Sequence, residues 1–153
     1  MPGTLTNNEE VLGAWPSASA TAMEENKNKL ILLVDDEPDI VSLYKEALIQ
    51  AGFRVSTALN GVEGLKLARE QSPNLILLDV KMPVMDGIEA LEQMKLDPKL
   101  KDLKVVLLTA LSDPTRPEID IEAAKELGAI DFIKKGLSLT EFVERVQGYI
   151  ADS

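Results

Sequence analysis

Apolar residues along this chain follow two rhythms. Three short runs are continuous: Leu30–Val34, Leu75–Leu78 and Val105–Leu108. Each is too short for a helix and lacks polar alternation, which is how strands buried on both faces read. Weaker strand patterns cover Arg54–Ala58 and Phe132–Lys134. Between these runs apolar residues recur at helical spacing. Ile40, Leu43, Tyr44, Ala47, Leu48 and Ala51 form one stripe, and Gly52 is placed to end that helix. Val62 to Glu70 predicts a second helix. Ile88 to Leu96 predicts a third, stopped before Pro98, and Ile119 to Leu127 a fourth, stopped at Gly128. The fifth begins at Ser138, with Glu141 three residues on as a capping box and Leu137 and Phe142 as a hydrophobic staple. Its stripe is Leu139, Phe142, Val143, Val146 and Ile150.

Strand and helix thus alternate five times. That order predicts an α/β protein: a doubly wound, five-stranded parallel sheet with right-handed crossovers and helices on both faces. Residues 1–28 stand apart. They are rich in Ser, Thr, Asn, Ala and Glu, with one short apolar cluster around Trp15, and read as a flexible N-terminal tail. The folded domain is expected over 29–153. Met23 is a possible second start. The "ASATA" stretch has no basic or apolar segment before it and does not read as a secretion signal.

Composition removes several chemistries. The chain has no cysteine and no histidine, which excludes thiolate and imidazole catalysis and any Cys- or His-ligated zinc. The formal charge is −10, so direct contact with nucleic acid or an anionic membrane is not expected. No apolar run is long enough to span a bilayer. A cytoplasmic location is the expectation.

The candidate chemistry lies at the strand ends. Asp35, Asp36 and Glu37 follow the first strand and Asp79 ends the third. These acids can simply face water and start a helix with Pro38 in its first turn. If the sheet order is 2-1-3-4-5, strands one and three are neighbours where the order reverses, and ligands bind at such points. Asp35, Asp36 and Asp79 then share one crevice. Like charges so close raise one another's pKa unless a cation intervenes, and a small set of oxygen ligands suits Mg²⁺. Thr109 ends strand four and Lys135 follows strand five, so a hydroxyl and an ammonium reach the same crevice. Strand alternation sends Lys134 and Lys135 to opposite faces. A nucleophile, a metal and donors for phosphoryl oxygens are the components of phosphoryl transfer onto a carboxylate. Asp86, with Glu89, reads as a helix cap, and Met82 and Met85 as loop packing.

The segments "VDDEPD", "LLDVKMPVMDG", "LLTA" and "GAIDFIKKG", in this order and each at a strand end, resemble the receiver domain of two-component response regulators over about residues 29–151. The resemblance implies a flavodoxin-like fold and a role for each position. Asp79 would accept a phosphoryl group from a histidine kinase or a phosphotransfer protein. Asp35, Asp36, Asp79 and the backbone carbonyl of Lys81 would hold Mg²⁺. Thr109 and Lys135 would hold the phosphoryl oxygens, and Thr109 with Phe132 would form the switch. The reshaped face of helix four, strand five and helix five would then meet a downstream protein or a second copy of the chain. This is a phosphoacceptor that assists its own chemistry rather than a conventional enzyme, and its shape suits a stand-alone receiver.

Two departures stand out. Gly136 replaces the proline usual after the lysine, and the span from Thr109 to Lys135 is longer than in compact receivers. The extra residues fall in the Pro-containing loop 112–118. An aspartate-nucleophile phosphatase of the haloacid dehalogenase type is the main rival, but it needs a second acid two residues after the nucleophile, where this chain has Lys81. A receiver-like binding module that is never phosphorylated is the other alternative.

Overall fold

The computed structural model describes residues 20–110 and 121–151. Five strands form one parallel sheet: β1 (Leu30–Val34), β2 (Arg54–Ala58), β3 (Leu75–Asp79), β4 (Val105–Thr109) and β5 (Asp131–Lys134), in the order β2-β1-β3-β4-β5. Among the described residues six helices accompany them: α1 (Ala20–Asn26), α2 (Pro38–Gln50), α3 (Gly61–Gln71), α4 (Gly87–Leu96), α5 (Ile121–Glu126) and α6 (Leu139–Ala151). The first four predicted helices correspond to α2 through α5, and the fifth to α6. The expected start of the fourth at Ile119, the loop 112–118 and Trp15 lie outside the described residues. No described helix is long and apolar enough to cross a membrane.

The central strands β1, β3 and β4 are buried along their whole length, so alternate side chains feed two cores. Ile31, Leu33, Leu75, Leu77, Val106 and Leu108 pack under α2 and α6. Leu32, Val34, Ile76, Leu78, Val105 and Leu107 pack under α3, α4 and α5. Helices α2 to α6 each cover one face of a sheet whose central strands are apolar on both, which is why these runs show no alternation. Helix ends follow local chemistry. Asn60 caps α3 by accepting the Glu63 N–H at 2.8 Å, and Asp86 and Glu89 complete the capping box of α4. Ser138 Oγ accepts the Glu141 N–H at 3.2 Å.

Helix α1 lies within residues 1–28, the stretch expected from the sequence to be a flexible tail. Asn26 explains the difference. It is buried, and its Nδ2 donates to Ala51 O at 2.8 Å and to Gln147 Oε1 at 2.9 Å. Gln147 Nε2 donates back to Asn26 Oδ1 at 2.9 Å. A buried amide with all these partners ties α1 to the end of α2 and to α6. The partners lie 25 and 121 residues away, beyond the reach of any local pattern.

Candidate functional site

The parallel register brings the acids together. Val34 pairs with Leu78, so the residues that follow, Asp35 and Asp79, leave the sheet side by side. Asp35, Asp36 and Asp79 each offer a carboxylate oxygen within 4.8 Å of the others. Asp35 and Asp79 are buried and Asp36 is half-buried. The backbone holds this arrangement from several sides. Asp35 N–H donates to Ala58 O on β2, and Val80 N–H to Leu108 O on β4. Gly87, at the start of α4, donates its N–H to Val80 O at 2.8 Å. A Cβ on Gly87 would sit 2.2 Å from the Asp79 carbonyl oxygen, so only glycine lets α4 come this close to the end of β3.

Lys135 reaches the acids from β5. Its N–H donates to Thr109 O at 2.7 Å, which ties the two strand ends together. Its Nζ hydrogen-bonds Glu37 Oε1 at 2.8 Å and ion-pairs with Asp35 Oδ2 at 2.8 Å and Asp79 Oδ1 at 3.2 Å. Lys134 is exposed where Lys135 is buried, as alternation requires. Thr109 is buried at the end of β4, beside β3. Phe132 is half-buried and packs against the core beneath α3, α4 and α5. Met82 is buried and Met85 packs against the same cluster. Gly136 adopts φ +102°, a conformation closed to proline. Its N–H approaches the hydroxyl of buried Tyr44, whose ring stacks on Phe142 at 4.2 Å.

The electrostatics favour a cation. Burial, then the Asp35 charge, pushes the Asp79 carboxyl up to about 7, against the opposing pull of Lys135 and the Lys81 backbone N–H. Burial also works against the Lys135 ammonium, but contacts with Asp35 and Glu37 and the Asp79 charge outweigh it and raise its pKa. One ammonium thus faces three acids, with Asp36 a fourth carboxylate in the same site. Asp35 Oδ2 receives no aligned hydrogen bond, although Lys135 is near. Beside it lies an open crevice of about 400 Å³, lined by Asp36, Lys81, Met82, Pro83 and Asp86. Three converging carboxylates, that of Asp35 fully buried, and room for water are a donor set that fits Mg²⁺.

The sequence reading missed Glu37 and Tyr44. Glu37 was visible as the third acid of the run, but nothing local marked Lys135, 98 residues away, as its partner. Tyr44 appeared only as one position of an apolar stripe.

Residues 31–147 match the family model of the response regulator receiver domain. Sporulation initiation phosphotransferase F of Bacillus subtilis is 36% identical over 124 residues, covering 80% of this chain and 94% of that protein. The alkaline phosphatase synthesis transcriptional regulatory protein PhoP of Bacillus subtilis is 40% identical over 126 residues, but this chain spans only 50% of its length. Among solved structures, the chemotaxis response regulator CheY4 of Vibrio cholerae superimposes with a TM-score of 0.70 at 27% identity, covering 79% of this chain and 98% of that one. The sheet order, the acid cluster at its reversal point and these matches agree: the chain belongs to the response regulator receiver domain family.

Proposed function

We propose that Asp79 accepts a phosphoryl group from a phosphohistidine of a histidine kinase or phosphotransfer protein. An Asp79 oxygen forms a bond to phosphorus, the phosphorus–nitrogen bond breaks, and the leaving imidazole keeps its electron pair. The observation that carries this reading is the meeting of Asp35, Asp36 and Asp79 within 4.8 Å, with the Lys135 ammonium 3.2 Å from Asp79. Asp35, Asp36, Asp79 and the Lys81 carbonyl would hold Mg²⁺, which when bound would supply positive charge to offset that on the phosphoryl oxygens. Lys135 and the Thr109 hydroxyl take the remaining oxygens, and the buried, water-poor position of Asp79 strengthens both contacts. The product is an acyl phosphate, a mixed anhydride that water can cleave.

Signalling follows from packing. The new phosphoryl group adds charge and acceptor oxygens beside Thr109. Thr109 moving inward opens space for the half-buried Phe132 ring, and the face formed by α5, β5 and α6 shifts its population between two shapes. A downstream protein, or a second copy of the chain, reads that face.

Incubation with acetyl phosphate and Mg²⁺, followed by intact-protein mass measurement, tests the site. One phosphoryl group is expected on the wild type, none without divalent cation and none on Asp79→Asn. Equal labelling of Asp79→Asn would move the acceptor elsewhere.

A further inference from the structure

Lys135 is fully committed before any phosphoryl group arrives. An ammonium has three N–H donors, and three acids surround this one: Asp35 and Glu37 at 2.8 Å and Asp79 at 3.2 Å. A phosphoryl oxygen can reach Nζ only if one of these contacts is given up. Asp35 is fully buried and belongs to the metal set, so it stays within the site. Asp79 is the acceptor itself. Glu37 differs from both. Its side chain is 58% exposed, so water can replace the ammonium when the contact breaks. Such half-exposed pairs contribute little net energy and are readily exchanged.

The Glu37 side chain is directed to Lys135 and not to its own helix. Glu37 is the N-cap of α2, yet its side chain makes no capping hydrogen bond to the helix. Its backbone N–H is fixed on Asp35 Oδ1 at 2.9 Å, which aims the side chain across the mouth of the site. The carboxylate reaches a lysine on another strand rather than the helix N–H groups beside it. Its Oε1 lies 2.8 Å from Lys135 Nζ, as near as the buried Asp35 Oδ2 and nearer than Asp79 Oδ1 at 3.2 Å.

We propose that Glu37 is a positioning residue that holds Lys135 in the resting protein and competes with the incoming phosphoryl group for it. Phosphorylation then includes an exchange of hydrogen bonds. Lys135 Nζ leaves Glu37 Oε1 for a phosphoryl oxygen, and Glu37 turns to water. Glu37 sets how readily Asp79 is phosphorylated without touching phosphorus. This inference rests on the reading of Lys135 as the phosphoryl-binding lysine.

The test is a double-mutant cycle on the full chain, read as the initial rate of phosphorylation by acetyl phosphate at saturating Mg²⁺. Glu37→Gln is expected to raise the rate about 2- to 5-fold, the range an exposed pair allows. In the Lys135→Ala background the same change is expected to have less than about 1.5-fold effect, because the competition no longer exists. An equal gain in both backgrounds would reduce Glu37 to a repelling charge and overturn the proposal. So would an unchanged or slower Glu37→Gln when Lys135→Ala is slow, and in that case the role of Lys135 would survive. If Lys135→Ala were as fast as wild type, the role of Lys135 would fall and this inference with it.

Discussion

Replacing Asp79 with asparagine removes a charge that the fold holds at a cost. In the unfolded chain this carboxyl ionises near 3.8, whereas in the native protein burial and the Asp35 charge push it up to about 7. Between those two values the unfolded chain has released a proton that the native chain still keeps. Native stability therefore falls as pH rises from the lower value to the upper, and the loss is complete above it. One pH unit of displacement corresponds to about 1.36 kcal/mol, so the full span is roughly 4 kcal/mol, and about 2–4 kcal/mol remains if water and side-chain relaxation absorb part of it. The asparagine amide fills the same space without the charge. In metal-free buffer at pH 8, Asp79→Asn is expected to be more stable than wild type by this amount, or roughly 6–12 °C in Tm. At pH 4 the two proteins should differ little.

Mg²⁺ should narrow the difference. Wild type gains about 2.7 kcal/mol at a free concentration one hundred times Kd, and the variant, lacking one of three carboxylates, gains much less. Thermal and urea melts at pH 4, 6 and 8, with EDTA and with Mg²⁺, measure all four corners. The reasoning is refuted if metal-free Asp79→Asn is no more stable than wild type at pH 8, or if its advantage is the same at pH 4.

Other expectations follow from the same geometry. Because a metal ion must displace the Asp79 proton, the apparent Mg²⁺ affinity should fall about tenfold per pH unit below about 7 and level off above it, as titration calorimetry at several pH values would show. Gly87→Ala places a methyl group 2.2 Å from the Asp79 carbonyl oxygen, so α4 must move away from β3. It should cost about 1–3 kcal/mol in urea unfolding and weaken Mg²⁺ binding, although residue 87 touches no ligand atom. Asn26→Ala leaves the Ala51 carbonyl and Gln147 without their buried partner and should cost about 1–3 kcal/mol. Amide exchange in α1 should speed up in that variant while the phosphorylation rate stays at the wild-type value.

The fold was legible because its signals are local and strong. The continuous runs in β1, β3 and β4, too short for helices and rich in Ile, Leu and Val, read as short buried strands. Gly52, at φ +102° after α2, and Gly128, at φ +116° after α5, end helices as their positions implied. Helix α1 was illegible for the opposite reason. Its short polar sequence carries no stripe, and its order comes from Asn26 meeting residues on two other helices. Propensity cannot report a contact that exists only after the sheet has formed.

The site divides along the same line. Asp35, Asp36, Asp79, Thr109 and Lys135 could be named as candidates because each sits at a strand end, and parallel strands in this order deliver their ends to one edge. What the strand ends do not disclose is how the charges are shared among them. Four acids and one lysine leave an excess of negative charge, so the metal-free site must settle who holds the ammonium and who holds a proton. The buried carboxyl of Asp79 yields by retaining its proton to about pH 7. The Glu37 carboxylate, 58% exposed at the mouth of the site, lies 2.8 Å from Lys135 Nζ. Bringing in a divalent cation makes the first compromise unnecessary, and adding a phosphoryl group contests the second. Both cation affinity and phosphorylation should therefore rise as Asp79 loses its proton, and the contact between Glu37 and Lys135 is expected to tune the phosphorylation rate on top of that requirement.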